Sequence, residues 1–217
     1  MRGVLVLRPE PGASATVERA RALGLEAVGA PLFEIEPLEW EAPDPDKFDG
    51  LLLTSANAVG RVCEALRALP VYAVGEATAG AARSAGLTVA AVGDGGVDRL
   101  LGSIGQRLDL LHLCGEDRRS PSGARQRVTP IPVYRAKAIE DPDLSAAQGA
   151  IALVHSPRAG RRFAELVRER ASTSIAAISP AAAEAVGSGW AMVESATEPN
   201  DEALLALAAR LCKNPRP

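Results

Sequence analysis

Aromatic side chains make up only 3% of this 217-residue chain: two tryptophans, two tyrosines and three phenylalanines. So sparse a supply leaves little for the stacking platforms on which single-strand binders seat bases. Basic charge is not in excess either. The 24 Lys and Arg stand against 27 Asp and Glu, a net charge of -3, which argues against a nucleic-acid partner. No run of about 18 uncharged apolar residues occurs, so no membrane span is expected. The opening Met1-Arg2-Gly3-Val4-Leu5-Val6-Leu7-Arg8 reaches a charge and a proline after a few apolar residues, unlike a signal peptide, and a cytoplasmic protein is expected. Three widely spaced cysteines, Cys63, Cys114 and Cys212, form neither a disulfide framework nor a Cys-x-x-Cys zinc motif, and are expected as buried thiols. Only two histidines are present, too few for a His-rich metal cluster. Phosphate loops of the Gly-x-x-x-x-Gly-Lys-Ser/Thr and Gly-x-Gly-x-x-Gly kinds and the Gly-x-Ser-x-Gly elbow are missing too. The expectation is a protein without cofactor or metal.

What the chain does have is a steady alternation of short apolar runs with amphipathic stretches, the pattern of βα units that build parallel sheets. Strands are expected at Val4–Leu7, Ala27–Ile35, Leu51–Leu53, Val71–Val74, Thr88–Val92, Leu110–Leu113, Ile131–Ala136, Ile151–Val154, Ile175–Ile178 and Trp190–Val193. Helices are expected at Ala15–Leu23, Ala56–Leu69, Ala77–Ala85, Val97–Leu108, Arg158–Arg170, Ala181–Val186 and Asp201–Lys213, with Gly24 and Gly86 as C-terminal glycines. The two halves repeat one another. Leu51-Leu52-Leu53-Thr54-Ser55 is echoed by Ala152-Leu153-Val154-His155-Ser156. Val71–Ala79 is echoed by Ile175–Ala183, and Asp98-Arg99-Leu100-Leu101 by Asp201–Leu205. Two similar α/β lobes, each a parallel sheet flanked by helices, follow from the repeat; a simple tandem order and an interleaved one both fit. The tail 214–217 is expected to be disordered.

Ligands of open α/β sheets sit beyond the carboxyl ends of the strands, where helix N-termini present unpaired N–H groups. Four strand-to-helix turns there are rich in small and hydroxyl residues: Thr54-Ser55-Ala56-Asn57, Gly75-Glu76-Ala77-Thr78, His155-Ser156-Pro157-Arg158 and Ser179-Pro180-Ala181-Ala182. Each is a candidate carboxylate or phosphate cradle, though simple helix capping by Thr54, Ser55, Ser156 or Ser179 would use the same residues. Arg8, Arg118, Arg119, Arg158, Arg161 and Arg162 follow strand ends or open a helix, where a guanidinium could clamp a carboxylate. Only Arg8 directly follows a strand that reads as buried. His112 lies inside a strand and reads as structural. His155 ends one, with no acid or nucleophile evident beside it in sequence. Tyr134, in the extended stretch Pro132-Val133-Tyr134-Arg135, either offers its hydroxyl to a ligand or packs at a hinge.

Taken in order, several segments resemble the uroporphyrinogen-III synthase family over almost the whole chain. They are Arg8-Pro9, Pro31, Ile35-Glu36-Pro37, Thr54–Val59, Val74-Gly75-x-x-Thr78-Ala79, Cys114–Arg118, Val133-Tyr134-Arg135, Ser156-Pro157 and Pro199–Leu205. The resemblance implies two lobes joined by a two-stranded connector around a cleft. It assigns 1–34 and 138–217 to one lobe, 37–133 to the other, and connectors near 33–37 and 133–138. It also implies a cofactor-independent cyclising lyase that removes water from linear hydroxymethylbilane and closes it with inversion of ring D. Tyr134 would then assist departure of the hydroxyl. Arg8, Thr54, Ser55, Asn57, Gly75, Thr78, Gly115, Ser156, Pro157, Arg158, Ser179 and Ala182 would hold the substrate. Two departures stand out: Ser179-Pro180-Ala181-Ala182 replaces the family's usual Gly-Pro-Thr-Thr, and a loop is expected where the family has a helix between Gly115 and Tyr134. The family reading implies a small-molecule substrate and a monomer. The competing reading is a non-catalytic two-lobe binding or regulatory protein for an anionic metabolite.

Overall fold

Short buried strands alternating with helices build two parallel sheets in a computed structural model that describes residues 2–118, 121–122 and 125–213. The strands are β1 (Val4–Val6), β2 (Ala27–Gly29), β3 (Phe33–Pro37), β4 (Gly50–Leu53), β5 (Val71–Val74), β6 (Val89–Gly93), β7 (Asp109–Gly115), β8 (Arg127–Ala138), β9 (Ile151–Val154), β10 (Ser174–Ala177) and β11 (Met192–Ser195). The helices are α1 (Gly12–Ala22), α2 (Glu76–Ser84), α3 (Val97–Ser103), α4 (Pro157–Leu166), α5 (Pro180–Ala185) and α6 (Asp201–Lys213). The chain divides into two compact units, Met1–Glu34 with Lys137–Pro217, and Ile35–Ala136. Both boundaries fall within strands, β3 and β8.

The first unit carries a five-stranded sheet in the order β11-β10-β9-β1-β2, parallel throughout. Val4, Val6, Ile151, Leu153 and Ala176 turn one face toward Val17 and Ala20 of α1 and Leu204, Leu207 and Leu211 of α6. Alternate residues of a strand point to opposite faces, so Leu5, Ala152 and Ile175, all fully buried, belong to the other one. Helices α4 and α5 pack together beside β9, β10 and β11, and Phe163 of α4 stacks on Trp190 with centroids 5.2 Å apart.

The second unit carries β8, β7, β4, β5 and β6 in parallel, with β3 alongside β8. Leu51, Leu53, Val71, Ala73, Leu111 and Leu113 pack against Ala79 and Ala82 of α2. Leu52 and Leu110 pack against Leu100 and Leu101 of α3 on the opposite face. In both sheets two neighbouring strands send the chain in opposite directions, β1 and β9 in the first and β4 and β7 in the second. These are the topological switch points at which open α/β sheets leave a crevice.

Four expectations require correction. Ala27–Ile35 is not one strand: the chain leaves the first sheet at Gly29 and joins the neighbour of β8 at Phe33, with Pro31 between, where no N–H is available for a ladder. The helix expected at Ala56–Leu69 is two 3₁₀ turns, Ala56–Arg61 and Glu64–Leu66. Gly60 and the β-branched Val59 and Val62 weaken an α-helix there, and Val62 is extended at ψ 110°. The helix from Val97 stops at Ser103, short of Leu108; Ile104 is extended, and the Gln126 amide takes up the carbonyls of Ile104 and Gln106 at 3.0 Å each. Cys63 is half-buried, unlike Cys114 and Cys212. Arg119 and the tail 214–217 lie outside the described residues. Among those described, none between β7 and β8 is helical, and no helix is long and apolar enough to cross a membrane.

Candidate active site

At the β4/β7 switch point the second unit holds an open pocket of about 370 Å³. Thr54 and Ser55 come from the end of β4, Gly115 from the end of β7, Tyr134 from β8, Asp98 from the first turn of α3, and Arg118 and the Gly95-Gly96 turn from the loops around them. Tyr134 reaches this place because the β7–β8 register shifts. Cys114 pairs with Pro132 but Gly115 pairs with Tyr134, so Val133 is skipped. Bulges of this kind re-aim a side chain. Burial pushes the Tyr134 phenol above its usual value of 10, while a hydrogen bond with Ser55 acts in the opposite sense. Ser55 also caps the following turn, accepting from the Asn57 N–H at 3.2 Å. Thr54 Oγ1 lies 3.0 Å from Nε2 of His112 beneath it.

The corresponding switch point of the first unit is filled by the protein itself. Asp201 opens α6 and accepts from Thr16 Oγ1 at 3.1 Å, pairs with Arg19, stands 3.5 Å from Arg8 and lies 2.8 Å from His155 Nε2. Burial alone would raise the Asp201 carboxyl, but His155, Arg19 and Arg8 together hold it at about 2. Burial also depresses the His155 imidazole against the pull of Asp201. His155 therefore does have an acid beside it, 46 residues away in sequence, correcting the expectation that none accompanies it. Gly12 makes this packing possible, since a β-carbon there would meet Arg8 Nε at 2.5 Å.

Of the expected site residues, the structure brings Thr54, Ser55, Gly115 and Tyr134 to one pocket. Asn57 and Gly75 do not line it: Asn57 donates its N–H to Ser55, and Gly75 follows Val74, which lines the pocket, and turns the chain into α2 at φ +83°. Thr78 does not line it and is buried at 4% exposure within α2. In the first unit Arg8 belongs to the Asp201 network. Ser156 caps α4 by accepting from Ala159 N–H at 3.1 Å, with Pro157 as the first helical residue. Arg158 stacks over Phe33 at 4.6 Å. Ser179 caps α5, accepting from the N–H of the buried Ala182 at 3.3 Å. Asp98 and Asp201 were not expected as site residues, although the internal repeat already pairs them; both stand at their unit's switch point. Among the described residues no cluster of His, Cys, Asp and Glu is arranged to hold a metal ion.

A family model described as uroporphyrinogen-III synthase HemD matches residues 14–206. The chain belongs to that family. A curated uroporphyrinogen-III synthase of Chlorobaculum parvum is 42% identical over 60 residues, so the matched stretch spans 27% of this chain and 24% of that relative. Among solved structures, the uroporphyrinogen-III synthetase of Helicobacter pylori 26695 is 20% identical with a TM-score of 0.64, covering 97% of this chain and 100% of its own. A mutant uroporphyrinogen III synthase of the extremely thermophilic bacterium Thermus thermophilus is 19% identical with a TM-score of 0.50, covering 98% and 100%. At such identities these two structures speak for the fold, a mixed α/β architecture with parallel sheets flanked by helices, while the family model speaks for membership.

Proposed function

We propose that this protein is a cofactor-independent cyclising lyase that converts linear hydroxymethylbilane to uroporphyrinogen III, with inversion of ring D, in tetrapyrrole biosynthesis. The observation that carries the proposal is the meeting of the Tyr134 phenol, the Thr54 and Ser55 hydroxyls and the Gly115 strand end around one pocket in a chain of this family.

Departure of the terminal hydroxyl needs a proton, and a phenol held protonated by burial can offer a hydrogen bond to the leaving oxygen. Loss of water leaves a cationic azafulvene that closes spontaneously to the wrong isomer. The protein must therefore orient the substituted carbon of ring D toward that carbon, through a spirocyclic pyrrolenine, and orientation of this kind is worth roughly 7–11 kcal/mol in favourable systems. In this reading the acetate and propionate arms are held by Thr54, Ser55 and the N–H groups near Asn57, Gly75 and Thr78. The turns at Ser156-Pro157-Arg158 and Ser179–Ala182, and Arg8 beside its Asp201 contact, are the first unit's candidate anchors for such arms. The two units act as lobes, 37–133 and 1–34 with 138–217, linked near 33–37 and 133–138, in a monomeric cytoplasmic enzyme.

Product analysis decides the matter. Purified protein added to freshly generated hydroxymethylbilane should give the type III isomer in excess over the spontaneous type I product after oxidation. Type I product alone from folded protein would overturn the catalytic reading in favour of a non-catalytic binding protein for an anionic metabolite.

A further inference from the structure

His112 is 2% exposed in the middle of β7, in register with Leu52 of β4 and Pro130 of β8. A buried imidazole at the heart of a parallel sheet needs an account of both nitrogens. Nε2 lies 3.0 Å from Thr54 Oγ1, and Nδ1 has no hydrogen-bond partner among the described residues. Burial and the nearby Arg118 cation hold the ring neutral, its pKa down at about 4, so it carries a single N–H.

Only two arrangements of that hydrogen are open. With it on Nδ1, a buried N–H is left without an acceptor, and Nε2 must take the Thr54 proton, which then points inward. With it on Nε2, the ring donates to Thr54 Oγ1, and the unmet group is merely a lone pair on Nδ1. Orphaned buried donors are the rarer defect in folded proteins, so the second arrangement is preferred. Its consequence lies at the surface. Thr54 lines the pocket, and an oxygen that accepts from beneath keeps its own proton free to turn toward a ligand, with one lone pair left over. The hydroxyl proton is thereby released from the imidazole and free to donate outward, the polarity that a carboxylate requires.

We propose that His112 is a positioning residue whose Nε2–H holds the Thr54 oxygen and leaves its proton free to turn into the pocket, where it donates to an anionic arm of the substrate. The inference rests on the substrate class named in the proposed function. It is also specific to the second unit: the repeat places His155 where Thr54 stands, and there the imidazole is engaged by Asp201.

With only two histidines in the chain, two-bond ¹H–¹⁵N correlation spectra of ¹⁵N-histidine-labelled protein read the tautomer without any turnover. One ring should show a protonated Nε2 and a bare Nδ1 unchanged from pH 8 to 5, and that ring should vanish in His112→Gln. A protonated Nδ1, or a ring that titrates near 6.5, would overturn the proposal. In kinetics with hydroxymethylbilane, Thr54→Val and His112→Leu should each raise KM roughly tenfold, more than either lowers kcat, as expected for one hydrogen bond to a charged group. The double variant should be no worse than Thr54→Val, and His112→Gln, whose amide can donate to the same oxygen, should recover KM. An unchanged KM in folded His112→Leu would sink the idea. Should the wild-type protein form no type III isomer, the proposed activity fails on its own account, and the ring-nitrogen spectrum still decides the tautomer.

Discussion

A β-carbon on Gly115 would stand 3.0 Å from Cε2 and 3.2 Å from the hydroxyl of Tyr134, so the missing side chain at the end of β7 is what leaves the phenol its place. Contacts of 3.0 Å to a ring carbon are tighter than van der Waals packing allows. The ring, half-buried against the core beside Val133, must tilt if they are imposed. Gly115→Ala should therefore lower kcat roughly tenfold or more through loss of position, since small misplacements of catalytic groups are costly. Circular dichroism should show an intact fold. Full activity in Gly115→Ala would mean that the position of Tyr134 is not critical.

Tyr134→Phe removes the hydroxyl that the proposed mechanism uses as proton donor and leaves the packing. The expected result is a fall in kcat of about 10²-fold or more, the lower range for positioned acid catalysis, with KM little changed. Because burial raises the phenol above its ordinary value, the hydroxyl stays protonated through the weakly alkaline range. The kcat of the wild type should accordingly show no alkaline loss of this group up to about pH 9. A decline centred below that pH, abolished by Tyr134→Phe, would contradict the raised phenol.

Much of this arrangement was legible in the sequence, for reasons that differ from residue to residue. The turns after β4, β9 and β10 announced themselves because Ser55, Ser156 and Ser179 are capping residues placed directly before a helical turn, and each does cap. The repeat set Thr54 against His155 and Asp98 against Asp201, and the strand order then puts these residues at the two switch points. What the repeat could not say is that one would be open and the other filled. The His155–Asp201 pair spans 46 residues and the Thr54–His112 pair 58, and such meetings depend on strand order, which periodicity does not encode. The strand expected at Ile131–Ala136 is longer at both ends. Pro130 and Pro132 are two apart, so their missing N–H groups fall on the same side, and the strand begins at Arg127.

The filled switch point is a stability element. Asp201→Ala would remove the acceptor of the Thr16 O–H and the partner of His155 Nε2 together and leave Arg8 without its carboxylate. Arg19 is half exposed and adds little. Removing one member of a buried polar network costs about 3–5 kcal/mol in fully buried cases. Partial exposure of Arg8 and Asp201 brings the expectation here to about 2–3 kcal/mol, read as a lower urea midpoint at an unchanged m value. A loss below about 0.5 kcal/mol would place Asp201 among ordinary surface charges.

Acid should destabilise this protein in two stages, and the direction of each follows from which state binds protons more readily. In the folded chain His112 is held at about 4 and His155 is also lowered. As pH falls below 6.5 the unfolded chain therefore takes up protons that the folded chain refuses, and stability drops. For His112 alone the difference from 6.5 to about 4 amounts to roughly 3 kcal/mol once pH has fallen through that window. Asp201 comes later: with a folded value of about 2 against 3.8, its contribution is intact above 3.8 and is lost only between there and 2. Urea midpoints measured from pH 8 to 4 should thus fall steadily below 6.5, and His112→Gln, which cannot titrate, should flatten the curve. A wild-type midpoint constant across that range would show that His112 is hydrated enough to charge freely, and the neutral, donating imidazole beneath Thr54 would go with it.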